Sequence, residues 1–242
     1  MHVAGVRSSQ SLELRAIRTD TLTQACTSAF TGPLTVKMAY ECNSPSTCAG
    51  DTDLEVIAPA NHSLTGANNL GSLTYQDVSM TFDANGVAPF LLEYAEAGQI
   101  TLHATKEIAA NGSNPAFTLS GSSNAFWVRP DSLLVSAETL VGSPVVTLDG
   151  SNSSATPVQK AGGDFKLLVS AVNADGGVTT HYSPGNIQFK LTRTGPTLSG
   201  DNGVLNYAAN QSLTTALSAS FTDVTLSSFA VGVSTYENAQ YS

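Results

Sequence analysis

Apolar and polar residues alternate along most of the chain. In "SLELRAIR", Leu12, Leu14 and Ala16 fall on one side and Glu13 and Arg15 on the other, and "LTVKMAY" groups Leu34, Val36, Met38 and Tyr40. The pattern recurs in "GQITLHAT" (Ile100, Leu102, Ala104), "DFKLLVSA" (Phe165, Leu167, Val169, Ala171) and "NIQFKLT" (Ile187, Phe189, Leu191). A period of two places one set of side chains in a core and the other in water, so each stretch predicts a half-buried strand. No stretch carries three turns of helical periodicity.

Between these stretches lie "DANG" at 83–86, "NADGG" at 173–177, "SPGN" at 183–186 and "SGDNG" at 199–203. Their glycines and Asx residues suit tight turns. Strands spaced in this way predict an all-β chain of antiparallel sandwiches. The small polar run "NGSNPAFTLSGSSN", 111–124, separates a first immunoglobulin-like domain, 1–123, from a second, 124–242. A faint repeat supports the division: "LRAIRTD" parallels "VSAVNADGG", and "MTFDANGVAPFLLEYAEAGQITLHA" parallels "ASFTDVTLSSFAVGVSTYENAQYS". The second copy stops where the first goes on to another strand, so the second sandwich is expected to be truncated, without its last strand and with an open edge there.

Composition narrows the function. The formal charge is −9, with only ten Lys and Arg residues, all scattered. A nucleic-acid partner is excluded on that ground, because such affinity rests on clustered cations. No run approaches the roughly 20 apolar residues of a membrane-spanning helix. Residues 1–10 lack the apolar core of a secretion signal, so an exported protein would be longer than this chain.

Catalytic motifs are absent: no G-x-S-x-G elbow, zinc-protease helix, P-loop or dinucleotide-binding glycine pattern is present. No cofactor is implied. His2, His62, His103 and His181 are dispersed. His103 falls on the polar face of its strand and His181 at a strand end, so both are expected to be solvated. In "DTDLE", Asp51, Asp53 and Glu55 occupy alternate positions and form a weak Ca²⁺ candidate, without the fixed glycine and terminal bidentate acid of a helix-loop-helix site. Asp149, Asp175 and Asp201 read as turn residues. Trp127, the only tryptophan, reads as packing at the domain junction. Asn61, Asn111, Asn152 and Asn210 begin N-x-S sequons, which matter only in a eukaryotic secreted protein.

All three cysteines lie in the first half: Cys26, Cys42 and Cys48. A structural zinc site needs four ligands in close pairs, and a redox pair is usually C-x-x-C ahead of a helix. What remains is a disulfide. Closing Cys42 to Cys48 would contribute about 2 kcal/mol and Cys26 to Cys48 about 3, a difference too small to choose the pairing. The proline and small residues between Cys42 and Cys48 favour a local reversal and hence the local bridge. Cys26 is then unpaired, or paired outside this chain.

Particular blocks carry a resemblance. They are Arg18 to Asp20 followed by Cys26, Ala29 and Phe30; Y-E-C-x-x-P-x-x-C-A-G from Tyr40 to Gly50; F-x-V-R-P from Phe126 to Pro130; and A-G-x-x-F from Ala161 to Phe165. Together they resemble the conserved-domain region of MshQ-like proteins, which are associated with mannose-sensitive haemagglutinin type IV pili of Gram-negative bacteria. The resemblance implies tandem immunoglobulin-like domains at the cell surface, outside the cell or in the periplasm. It supplies no catalytic residue and suggests pilus or envelope proteins as partners. The leading expectation is a non-enzymatic structural or interaction module. Two rivals are a glycan- or host-binding adhesin domain, Ca²⁺-dependent or not, and an accessory β domain of a secreted hydrolase.

Overall fold

The computed structural model describes residues 2–19, 22–110, 116–140, 146–148, 159–183, 187–189, 204–208, 211–214, 222–224 and 233–241. Among them there is no α-helix, and one 3₁₀ turn, Leu70–Ser72, is capped by the Asn69 side chain. The chain divides into two units. The first comprises Met1–Asp131 and Asn173–His181; the second comprises Ser132–Val172 and Tyr182–Ser242.

The first unit begins with β1 (His2–Val3), β2 (Leu12–Arg15), β3 (Ile17–Thr19), β4 (Cys26–Ser28) and β5 (Gly32–Ser44). There follow β6 (Leu54–Ile57), β7 (Asn61–Leu64), β8 (Gly66–Ala67) and β9 (Gln76–Phe82). It closes with β10 (Val87–Tyr94), β11 (Gly98–Ile108), β12 (Phe117–Ser122) and β13 (Phe126–Arg129). One sheet runs β1-β13-β11-β5-β8, with β12 also on β11 and β9 also on β5; the other runs β2-β10-β6-β7, and β3 and β4 form a hairpin.

Alternation decides which side chains meet inside. Antiparallel register sets Met38 opposite Ala104, Tyr40 opposite Leu102 and Cys42 opposite Ile100, while Val36 faces Val78 on the other flank of β5. These inward pairs pack with Leu54, Val56, Leu64, Phe90 and Leu92 into one core cluster. Each fully buried large aliphatic contributes about 1.5–3 kcal/mol, so a one-residue slip of β5 would forfeit several such terms at once. The "DANG" turn closes β9 to β10: Asp83 Oδ1 accepts from Asn85 N and Val87 N, and Gly86 takes φ 75°. A Cβ at Gly86 would stand 2.6 Å from Ala16 O, so this turn needs glycine on both conformational and steric grounds.

The first unit runs past the boundary that the polar run suggested. Phe126–Arg129 pairs in parallel with β1 and antiparallel with β11, and the unit extends to Asp131. A four-residue apolar stretch reveals that it is a strand but not which sheet it joins. Trp127 on this strand is 50% exposed rather than packed away.

The second unit contains β14 (Ser132–Thr139), β15 (Phe165–Val172), β16 (Ile187–Phe189), β17 (Val204–Ala208), β18 (Gln211–Thr214), β19 (Thr222–Val224) and β20 (Val233–Tyr241). Five strands run β14-β15-β20-β17-β18, and β16 pairs with β19. Phe165, Leu167, Val169 and Ala171 are buried, as the alternation of β15 predicts. The last described strand, β20, has β15 on one side and β17 on the other. Leu191, most of "SPGN" and all of "SGDNG", together with Asp149 and Asp201, lie outside the described residues, as do Asn111, Asn152 and Asn210.

Candidate functional site

Cys42 leaves the inward face of β5, and the chain reverses through a cis Ser44–Pro45 peptide to Cys48. The two sulfurs are bonded, with Cα atoms 6.1 Å apart, and both residues are buried. Asn68 Oδ1 accepts from Cys48 N and Ala49 N at 2.7 and 2.9 Å, which fixes the far side of the loop. Cys26 is free and exposed on β4.

The chain after Cys48 is held by backbone bonds. Gly66 N donates to Asp51 O at 2.8 Å, Gly50 N to Gly66 O at 3.1 Å, and Ala95 N to Asp53 O at 2.9 Å. Tyr40 adds its hydroxyl, which donates to Asp51 O at 3.2 Å. A Cβ at Gly66 would stand 2.8 Å from that hydroxyl and run into Cys48 O, so only glycine lets β8 approach. The Tyr40 and Tyr94 rings meet edge-on at 5.8 Å, and the Tyr94 hydroxyl lies 3.9 Å from Cys42 Sγ. Burial drives both phenols above their ordinary range, with nearby carboxylates adding to the effect.

The β10–β11 turn carries Glu96, only 6% exposed between Ala95 and Ala97. Its partners come from Asn173–His181. In that segment Asn173 Oδ1 accepts from Asp175 N and Gly177 N, folding "NADGG" into a turn. The same side chain donates through Nδ2 to Ala95 O at 3.0 Å, and Ala174 N donates to Ala4 O at 3.0 Å. Further along, Thr180 Oγ1 and His181 N donate to Glu96 Oε2 at 2.7 and 2.8 Å. The His181 ring then stands between two acids, Nε2 at 3.3 Å from Asp51 Oδ2 and Nδ1 at 3.4 Å from Glu96 Oε2.

Electrostatically this is three carboxylates around one imidazole. Burial raises the Glu96 carboxyl above its ordinary value, against the lowering by Thr180 and His181. Asp53 is raised too, first by burial and then by the charge of Asp51. Glu96 Oε1 has no hydrogen-bond partner among the described residues. The arrangement can hold a proton and immobilise backbone. Both contacts to Oε2 shorter than 3 Å come from the chain itself.

The predicted site residues separate. Asp51 joins His181 and Asp53 lies beside it, but Glu55 turns to Asn61, whose Nδ2 donates to Glu55 Oε2 at 3.0 Å. Among the described residues, no three His, Cys, Asp or Glu side chains are placed to share a metal ion. His181 and His103 are not solvated. The ring of His103, 8% exposed, lies 3.1 Å from Glu41 Oε2, because β5 and β11 bring their outward residues together at the centre of the sheet. Glu96 and Thr180 escaped the sequence reading. Their one legible signal is a lone acid between alanines in "YAEAG", in a chain where charged residues make up only 12%.

Residues 1–122 match the model of a family described as a domain of unknown function (DUF6701), first Ig-like domain. Residues 129–226 match the second domain of the same family. No curated protein and no solved structure matches the chain.

Proposed function

The chain belongs to the DUF6701 family, and from that premise we propose that it is a non-enzymatic structural and interaction module of a bacterial surface protein, MshQ-like and associated with type IV pili. The observation that carries this reading is the use of Glu96. A buried carboxylate next to a histidine is an arrangement suited to acid–base chemistry, yet Oε2 accepts from Thr180 and His181 of the same unit. The group fastens one segment to another. The Cys42–Cys48 bridge supports a location in an oxidising compartment such as the periplasm or cell exterior. No helix among the described residues is long and apolar enough to cross a membrane.

The test is a pulldown of purified pilus subunits with this chain, alongside an unrelated immunoglobulin-like sandwich of similar charge. Enrichment over that control is expected. Equal recovery would remove the interaction role and leave a spacer.

One observation favours the adhesin alternative. Trp127, half exposed on β13, offers an aromatic face of the kind that stacks on sugar rings. A glycan array with and without Ca²⁺ decides, since binding lost in Trp127→Ala would support it and a blank array would end it.

A further inference from the structure

At one lateral side of the first unit the two sheets part and leave a cleft of about 210 Å³. Its apolar lining is Leu14, Phe30, Val36, Phe82, Ala104 and Leu119, of which Val36 and Phe82 belong to the buried core. Its rims are edge strands. Among the described residues β2 pairs only with β10, and β12 only with β11, so each presents one row of backbone donors and acceptors without a strand opposite.

At the mouth, Lys106 continues the inward-facing series of Leu102 and Ala104 on β11. It forms no ion pair with any described residue, whereas Arg15 on the opposite rim is held by Glu13 through two bonds of 3.0 and 2.7 Å. A half-buried cation that lines an apolar cleft, with no ion-pair partner among the described residues, is complementary to a carboxylate, and it stands out in a chain whose net charge is −9.

Size selects the occupant. Sites for drug-sized molecules have volumes of about 300–1,000 Å³, so this cleft is small for one and suited to a single large side chain. Unpaired strand edges on both rims add main-chain bonding, the other half of strand addition.

We propose that the cleft between β2 and β12 binds an extended peptide of a partner protein, which adds as a strand to one rim. One apolar side chain fills the cleft, and an acidic residue two positions away pairs with Lys106. The lysine also sets specificity. An inward-pointing charge discourages pairing by purely apolar strands, including edges of other copies, and admits a strand that brings a carboxylate.

The proposal deepens the interaction role and rests on it for biological meaning. The binding itself is read with synthetic peptides, so its failure and failure of the pilus pulldown are separate results. Phage-displayed random dodecapeptides are panned on the full chain, and the recovered sequences are synthesised and titrated into ¹⁵N-labelled protein. The expected result is a consensus with a large apolar residue and Asp or Glu two positions apart. Amide shifts should concentrate in 12–15 or 117–122, and affinity should drop at least tenfold in Lys106→Glu with an unchanged fold. Lys106→Gln should fall between the two. Recovery of no peptide, a basic consensus, shifts confined to other strands, or equal affinity in Lys106→Glu would each overturn it.

Discussion

Glu96 and His181, 85 positions apart in sequence, meet twice: the backbone N–H of His181 donates to Glu96 Oε2 at 2.8 Å, and its ring stands 3.4 Å from the same oxygen. One carboxylate oxygen thus accepts from the main chain of a distant segment and stands beside its imidazole. Because the acid is buried, removing either side leaves a polar group stranded.

Glu96→Ala is therefore expected to destabilise the first unit by about 2 kcal/mol, the cost of leaving the Thr180 and His181 donors buried without a partner. Urea unfolding followed by near-UV signals measures it. Hydrogen exchange should accelerate at Thr180 and His181 before it does in β5.

The pH dependence has a definite sign. Burial raises the folded-state values of Glu96 and Asp53 above those of the unfolded chain, so the folded unit binds more protons between the two values. This contribution to stability is complete below the ordinary carboxylate range and is lost as pH rises through the raised values. Unfolding free energy should thus increase as the pH is lowered from neutral toward the carboxylate range, and Glu96→Gln should reduce that slope. An unchanged slope in the variant would assign the effect elsewhere.

Replacing Cys42 and Cys48 together by serine should cost about 2 kcal/mol, the contribution of a short closed loop. Thermal unfolding with and without reductant checks this. Reductant should lower the wild-type midpoint and leave that of the double variant in place.

Gly66→Ala introduces one methyl group against Tyr40 and Cys48. Overpacking of this kind costs about 2 kcal/mol. Adding Tyr40→Phe, which removes the side-chain atom closest to the new carbon and leaves the Cys48 carbonyl in place, should recover part of that loss in the same unfolding measurement.

Much of the fold is legible because its information is local. The alternation in β5, β11 and β15 identifies the inward residues, and the turn residues of "DANG" and "NADGG" lie where their side chains cap backbone. The site is less legible because it is assembled across the chain. Nothing near His181 signals that Asp51 and Glu96 surround it, and alternation assigns Glu55 the same standing as Asp51 although only one reaches the histidine. His103 shows a related limit: period two identifies its face, but the neighbouring strand determines what covers it.

The chain leaves the first unit after Asp131, lays down β14 and β15 of the second, and returns to the first for Asn173–His181 before going back. The second family match, 129–226, spans that return. The two units are interleaved in sequence, so cutting the chain at the family boundary takes Thr180 and His181 away from Glu96. On the ribosome, where residues emerge at roughly 5–20 per second, the first sandwich must wait with a buried carboxylate uncapped until residue 181 appears. Its completion is thereby timed by the synthesis of its neighbour.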